Sequence, residues 1–183
     1  RRGDRSPKSH HVILGHSAVA PATVRAAAEI VQRRGAQSLD AHFTGSKGAA
    51  EKGELVYYIG GDEAAYRRAR PILQASSKEI IEIGEVGDAT TIKVATNMIT
   101  AASVQAAAEA LALVSKSGLP PEKFAAAMRN NGSNSATLDM KLPMRMDGNF
   151  EPNFWVKHML RDVVIATRRA AGLGGGCGAA GRP

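Results

Sequence analysis

The chain has 183 residues, of which 44% are hydrophobic, 22% charged and 4% aromatic. This length is sufficient to bury a substantial core, and the composition is that of an ordinary alanine-rich globular chain. The formal net charge of +7 comes mainly from residues 1–11 and 161–183, whereas residues 12–160 are nearly neutral. The nearly neutral charge of residues 12–160 argues against a general nucleic-acid-binding surface, which would need clustered basic residues on one face.

The cysteine content and the apolar segments limit the classes of protein further. A single cysteine, Cys177, excludes an internal disulfide and a multi-cysteine metal site, and the histidines show no ligand spacing, so no metal is expected. The longest apolar stretch, residues 98–114, is interrupted by Gln105 and Glu109 and is too short and polar to span a bilayer. Because the start also lacks the apolar core of a signal peptide, we expect a cytoplasmic protein that binds neither membrane nor nucleic acid.

In the first half of the chain, short β-rich segments alternate with helical ones, which is typical of an α/β layer domain. Pro21 suits the first turn of a helix that Gly35 ends, and a second helix begins with an acidic turn. The predicted strands are 12–14, 38–43, 55–59 and 79–83, and the predicted helices are 21–34 and 62–75.

From residue 88 to residue 172 the pattern predicts helices only, with breaks at 118–121, 130–133 and 147–152. The first of these helices, 88–117, spans about 45 Å, and Asp88 is its natural N-cap. Apolar residues cover two sides of it. This pattern predicts a helix that is buried nearly all round, either in a domain centre or in a subunit interface.

The predicted fold class is therefore α/β followed by all-α, with the change at Gly87. Residues 1–86 would form the α/β domain with a disordered basic leader, 1–11. Residues 87–172 would form a helical domain, followed by a disordered glycine-rich tail, 173–183. The tail contains a G-x-G-x-x-G pattern at 176–181, but no strand precedes it and no helix follows, so we reject it as a dinucleotide fingerprint.

Two groups of polar residues could carry chemistry. Lys93 lies near the start of the long helix, with Asn97 and Thr100 on the same face. Burial and the helix dipole would both lower the pKa of this lysine, which suits a proton donor and acceptor near neutral pH. From spacing alone, a lysine that extends into solvent is the more frequent arrangement.

The second group is the loop Thr44-Gly45-Ser46-Lys47-Gly48, which follows a strand. Hydroxyl and backbone donors at a strand end can hold a carboxylate or a phosphate, although such a loop can equally be only a turn.

Three segments, in this order, resemble the 3-hydroxyisobutyrate dehydrogenase and glyoxylate/succinic semialdehyde reductase family of β-hydroxyacid dehydrogenases, within the 6-phosphogluconate dehydrogenase superfamily. They are LDAHFTGSKGAAEKGELVYYIGGDE, IGEVGDATTIKVATN and FWVKHMLRDVVIA, and the resemblance covers residues 12–172. It implies that residues 1–86 are the C-terminal half of a Rossmann-like dinucleotide-binding domain and that residues 87–172 are a helical substrate and dimerisation domain. It also implies NAD or NADP as cofactor, a small carboxylate substrate, and a homodimer or homotetramer.

The resemblance also assigns roles to single residues. Lys93 would be the catalytic lysine that protonates the carbonyl oxygen, and Asn97 would hold the substrate. Thr44, Gly45 and Ser46 would bind the substrate carboxylate. Ala18, Arg161 and Asp162 would contact the cofactor.

The sequence departs from the family pattern at several of these positions. Arg161-Asp162 stands for the usual Lys-Asp, Ala18 for a threonine, Thr96 for an asparagine, and His42 for a proline. The glycine-rich turn that cradles the pyrophosphate does not occur before Val12, which predicts weak cofactor binding and possible inactivity of this stretch alone. Two alternatives therefore remain: a non-catalytic remnant or dimerisation fragment, and an imine reductase, which usually lacks a lysine at the place of Lys93.

Overall fold

A computed structural model describes residues 7–176. Cys177 and nearly all of the 176–181 glycine pattern lie outside the described residues, as do most of the predicted basic leader and glycine-rich tail. The strands and helices, in chain order, are β1 (Val12–Gly15), α1 (Pro21–Arg33), β2 (Gln37–Thr44), α2 (Lys47–Glu51), β3 (Leu55–Gly61), α3 (Glu63–Gln74), β4 (Ser77–Gly84), α4 (Asp88–Lys116), α5 (Pro121–Arg129), α6 (Ala136–Met146) and α7 (Val156–Gly172).

The predicted fold class, α/β followed by all-α, is confirmed. Every predicted strand and helix is present, and the ends lie within three residues of the predicted ones. The sequence pattern missed α2, the short helix that begins at Lys47 inside the segment predicted as a loop. The three predicted breaks separate α4, α5, α6 and α7 as expected.

The four strands form one mixed sheet in the order β1-β2-β3-β4. β1 is parallel to β2 and β3 is parallel to β4, but β2 and β3 are antiparallel. In the inner strands, β3 largely alternates buried and partly exposed residues, whereas residues 39–42 of β2 are all buried. α3 covers one face of the sheet. The core between them contains Leu39, Ala41, Leu55, Tyr57, Ile59, Ala65, Tyr66, Ala69 and Leu73. This core fixes the carboxyl ends of β1 and β2 beside each other.

α4 joins the sheet to the helical region. It packs against β2, β3 and α1 on one side of this junction and against α5, α6 and α7 on the other. A second core forms where Ala107 of α4 meets Leu138 and Leu142 of α6. Ser135 caps α6 by accepting a hydrogen bond from the backbone N–H of Leu138. The residues at the start of α4 are therefore held between two packed regions.

The predicted N-cap of α4 was wrong by one residue. Gly87 occupies the cap position with a φ of 98°, and Asp88 is the first helical residue. The Asp88 carboxylate accepts a hydrogen bond from the backbone N–H of Glu85 instead. A side chain at Gly87 would also collide with Arg25, whose guanidinium donates to the carbonyl oxygen of Val86. Glycine is required here by both backbone conformation and space.

A single copy of the chain does not bury α4 on all sides, so its predicted burial in a domain centre was wrong, whereas its burial in a subunit interface stays a prediction. Ile99 and Leu113 are 69% and 68% exposed, because the other helices cover only part of its circumference. By length and composition alone α4 could cross a membrane, which corrects the expectation drawn from residues 98–114, because the whole helix has 29 residues. The apolar pattern therefore indicated more contact surface than the described chain itself covers.

Candidate active site

Lys93 lies in the second turn of α4 and is partly buried. Burial lowers the pKa of its ammonium group, because the charged form loses hydration. The carboxylate of Asp162 opposes this effect and raises the pKa. Lys93 is therefore not a lysine that simply extends into solvent, and its amine is poised to exchange a proton closer to neutral pH than an ordinary lysine.

Asn97, one turn after Lys93, is buried and reaches across to α7. Its side-chain amide donates a 2.7 Å hydrogen bond to Oδ2 of Asp162. Arg161 donates to the other carboxylate oxygen, with Nε at 2.9 Å and Nη2 at 2.8 Å. Asp162 is 1% exposed, and so its charge is compensated by these two neighbours and by the nearby Lys93.

Thr100 was predicted to lie on the same face of α4 as Lys93 and Asn97, but it makes no hydrogen bond to Asp162 among the described residues. Its hydroxyl donates to the backbone carbonyl of Thr96, and the hydroxyl of Thr96 donates to the carbonyl of Lys93. Both hydroxyl donors are used within the helix, as is common for threonine in helix interiors.

Asp40 of β2 fixes the start of α4 on the sheet. Its carboxylate, which is fully buried, accepts hydrogen bonds from the backbone N–H groups of Gly87 and Thr90 at 2.9 and 2.8 Å. It also accepts one from the hydroxyl of Thr90 at 2.8 Å. A carboxylate at a helix N-terminus satisfies unpaired N–H groups and interacts favourably with the helix dipole. Asp40, although distant in the sequence, therefore caps the N-terminus of α4, which is the role that was predicted for Asp88.

His42, two residues further along β2, is 2% exposed. Its Nε2 lies 3.0 Å from the Thr90 hydroxyl and 3.4 Å from Oδ1 of Asp40. Burial lowers the pKa of His42, and the charge of Lys93 lowers it further, whereas Asp40 acts in the opposite direction. The imidazole is therefore neutral at neutral pH. The sequence pattern marks His42 only as a departure from the family, because no local spacing indicates its contact with Thr90.

The Thr44-Gly45-Ser46 loop follows β2 directly and leads into α2, with Ser46 as the N-cap residue. Gly45 has a φ of 132°, and a Cβ there would lie 2.8 Å from Cδ2 of Leu55. Thr44 is partly buried, whereas Gly45 and Ser46 are exposed. Among residues 7–176, no hydrogen bond or ion pair joins this loop to Lys93. The two are related through β2, whose residues 40 and 42 are tied to the start of α4.

The end of β1 lies beside the same part of β2. His16 donates its Nδ1–H to the carbonyl oxygen of Ala41 at 2.5 Å, and its ring contacts Phe43 and Tyr57. Ala18 is 8% exposed, so it offers a cofactor little more than its backbone. A groove of about 250 Å³ runs between β1 and α1, lined by residues that include Gly15, His16 and Ser17.

The chain matches known families along nearly its whole length. Residues 5–84 match the sequence model described as the NAD binding domain of 6-phosphogluconate dehydrogenase. Residues 87–177 match the one described as NAD-binding of NADP-dependent 3-hydroxyisobutyrate dehydrogenase. The chain is also 30% identical, over 161 residues, to 2-hydroxy-3-oxopropionate reductase of Escherichia coli. That alignment covers 88% of this chain but 55% of the reductase, so the chain spans about half the length of this relative.

Solved structures agree with these matches. The 3-hydroxyisobutyrate dehydrogenase of Mycobacterium tuberculosis, solved with L-serine, superposes with a TM-score of 0.83 at 26% identity. The superposition covers 92% of this chain and 60% of that enzyme. The imine reductase of Myxococcus stipitatus, solved with NADP+, is a more distant neighbour at a TM-score of 0.59 and 18% identity, covering 86% of this chain and 48% of that one. The chain therefore belongs to the 3-hydroxyisobutyrate dehydrogenase-like β-hydroxyacid dehydrogenases.

Proposed function

We propose that the protein is an oxidoreductase that transfers a hydride between NAD or NADP and a small β-hydroxy acid, or the corresponding aldehyde or keto acid. The substrate class is of the 3-hydroxyisobutyrate, glyoxylate or succinic semialdehyde type. The observation that carries this proposal is the partly buried Lys93, whose pKa is lowered beside Asn97 and Asp162. An amine of this kind can donate a proton in one direction of the reaction and accept it in the other.

In the direction of reduction, the Lys93 ammonium would donate a proton to the carbonyl oxygen as the carbonyl carbon gains a hydride. In the direction of oxidation, the neutral amine would accept the hydroxyl proton. When bound, the nicotinamide supplies or removes the hydride. Asn97 would orient the substrate, and its amide is held for this role because Asp162 accepts one of its hydrogens.

The Thr44-Gly45-Ser46 loop would bind the substrate carboxylate. The loop provides two hydroxyl groups and a glycine whose backbone can be approached closely, and anions are commonly held in this manner. A carboxylate held there would set the distance between the reacting carbon and Lys93. This arrangement favours small acids.

The three residues assigned to cofactor binding, Ala18, Arg161 and Asp162, differ in how accessible their side chains are to a cofactor. The Arg161 side chain is 45% exposed, so its remaining N–H groups can reach a cofactor amide or phosphate. Asp162 is too buried for that contact, and its proposed role is to hold Arg161 and Asn97. Ala18 would contribute backbone and packing at the groove beside β1. Arg161 and Ala18 would therefore contribute to the cofactor site directly, and Asp162 would contribute by holding Arg161 in place.

We further propose that residues 1–86 belong to a dinucleotide-binding domain and residues 87–172 to a helical domain that pairs with a second copy in a homodimer or homotetramer. Ile92, Ile99, Ala106 and Leu113 recur every seven residues on α4, and all four are exposed. A seven-residue apolar spacing is typical of helix-to-helix contacts between chains. Glu109 in the same helix disfavours the alternative that a lipid bilayer covers these four residues. A cytoplasmic location is consistent with pairing between two copies of the chain.

The decisive experiment is Lys93→Ala in a complete enzyme that includes this chain. We expect the turnover of succinic semialdehyde or 3-hydroxyisobutyrate to fall by orders of magnitude, on the order of 10²-fold to 10⁴-fold, with similar cofactor affinity. Unchanged turnover would refute the assignment of Lys93. Turnover of a cyclic imine in place of a semialdehyde would favour the imine reductase alternative. Saturable quenching of Trp155 fluorescence by NADPH would argue against a non-catalytic remnant.

A further inference from the structure

His42 is a buried titratable residue that the proposed reaction does not use. It lies in β2, two residues before Thr44, and its Nε2 is 3.0 Å from the hydroxyl of Thr90. Thr90 lies three residues before Lys93 on α4. A single side-chain contact therefore joins the strand that leads to the substrate loop with the helical turn that precedes the proposed catalytic lysine.

The hydrogen-bond pattern around Thr90 determines which imidazole nitrogen carries the proton. The Thr90 hydroxyl has one hydrogen, and it donates this hydrogen to Oδ1 of Asp40 at 2.8 Å. Toward His42 the hydroxyl can therefore only accept, which means that Nε2 of His42 is the donor. A neutral imidazole protonated at Nε2 satisfies this contact completely.

Charged and titratable groups from four parts of the fold face His42. Asp40 on its own strand and Asp162 on α7 favour a positive imidazole, whereas Lys93 on α4 and His16 after β1 disfavour it. Burial also disfavours it and is the largest of these effects, so the pKa of His42 is lowered. A proton on His42 would place a second positive charge near the Lys93 ammonium.

We propose that neutral His42 is a positioning residue that holds the β2 strand leading to the Thr44–Ser46 loop against the first turns of α4, and thereby sets the substrate carboxylate relative to Lys93. This inference rests on the proposed function. It predicts that protonation of His42 impairs the arrangement, because a charged imidazole loses hydration at this buried position and is repelled by Lys93, and these effects outweigh the attraction by Asp40. Activity should consequently fall on the acidic side with the titration of His42.

Two substitutions separate the hydrogen bond from the charge. His42→Gln retains an N–H donor near Thr90 but has no group that titrates. His42→Leu removes the donor and keeps a side chain of similar size. In the complete enzyme, assayed with succinic semialdehyde and NADPH, His42→Gln should keep kcat within about threefold at pH 7.5 and lose the acidic decline. His42→Leu should lower kcat about tenfold and raise KM for the acid, with unchanged KM for NADPH, because a small misplacement is costly in a positioned site.

A measurement that does not use catalysis complements these assays. The His42 ring proton is followed by NMR against pH in the wild type and in Lys93→Met. Removing the lysine charge should raise the midpoint of the His42 titration. If His42→Leu does not fold, His42→Gln decides, and an acidic decline identical to that of the wild type overturns the inference.

Failure of this inference can be told apart from failure of the proposed function. If Lys93→Ala keeps full turnover, the assignment of Lys93 is wrong whatever His42 does. If Lys93→Ala abolishes turnover while both His42 variants match the wild type in kcat, KM and pH profile, only the role of His42 is overturned. An unchanged His42 midpoint in Lys93→Met would likewise overturn the proposed electrostatic link.

Discussion

The side-chain amide of Asn97 donates a 2.7 Å hydrogen bond to the buried carboxylate of Asp162, and this contact links α4 to α7. The same carboxylate pairs with Arg161 and raises the pKa of Lys93. One acidic residue therefore contacts both the proposed substrate-binding residue Asn97 and the proposed cofactor-binding residue Arg161, and it acts on the charge of the proposed proton donor.

Replacing Asp162 by asparagine tests this central position. The substitution removes the negative charge that raises the pKa of Lys93, so that pKa should fall further below its ordinary value. Reduction requires the protonated lysine, and the alkaline decline of kcat/KM should therefore move to lower pH. Weakening of the charge-assisted hydrogen bonds should also lower the free energy of unfolding by about 1–3 kcal/mol.

The control for this experiment is Asp147→Asn, because Asp147 is exposed at the end of α6. This variant should retain the wild-type pH profile and stability. An alkaline decline that stays in place in Asp162→Asn, measured over the same pH range, would contradict the proposed link between Asp162 and Lys93.

Lys93 should destabilise the fold at neutral pH, because its charged form is partly buried. Its pKa is lowered in the folded state, so above that value and up to the ordinary value of 10.5 the unfolded chain binds more protons than the folded one. The free energy of unfolding of the wild type therefore rises with pH through this window. Lys93→Met should be more stable than the wild type at neutral pH, and the difference should shrink as the pH approaches 10.5.

Urea unfolding at a series of pH values measures this difference. Lys123→Met provides a matched control, since Lys123 is exposed on α5 and should show no such trend. A Lys93→Met variant that is less stable than the wild type at neutral pH would show that the ammonium group is better compensated than its burial indicates.

The strands and helices could be predicted from local patterns, but the contacts that build the site could not. The periodicity of apolar residues located α4 and the loop after β2, and the resemblance directed attention to Lys93 and Asn97. The buried hydrogen bond from the Thr90 backbone to the Asp40 carboxylate joins residues 50 positions apart, and no local sequence pattern predicts it. The same holds for the contact between Asn97 and Asp162, at a separation of 65 positions.

Burial was the least predictable property. An apolar stripe indicates that a helix face will be covered, but it does not say whether the same chain covers it. On α4 the stripe that includes Ile99 is left exposed. The error in the N-cap has a similar origin, because a distant carboxylate, Asp40, satisfies the backbone groups that Asp88 was expected to satisfy.

The backbone at Gly45 should be essential to the substrate loop. Alanine there would have to adopt a φ of 132° with its Cβ 2.8 Å from Leu55 and 3.1 Å from Ala49. We expect Gly45→Ala to lower the free energy of unfolding by about 1–3 kcal/mol and to raise KM for the acid more than KM for NADPH.

Gly48→Ala is the matched control for Gly45→Ala. Gly48 lies in α2, its φ is not positive, and the nearest atom to an added Cβ is 3.9 Å away. Alanine should stabilise this short helix by about 0.5–1 kcal/mol and leave both KM values unchanged. Equal effects of the two substitutions on KM would mean that the loop does not bind the substrate.

The exposed stripe on α4 leads to a prediction about assembly. Ile99→Lys places a charge at the centre of the seven-residue pattern, where Ile99 is 69% exposed, and should convert a dimer or tetramer into a smaller species in sedimentation analysis. Ile72→Lys on α3, where the side chain is 70% exposed outside that pattern, should leave the assembly intact. A wild-type protein that sediments as a monomer, or that co-sediments with phospholipid vesicles in a manner lost in Ile99→Lys, would show that a second copy does not cover α4.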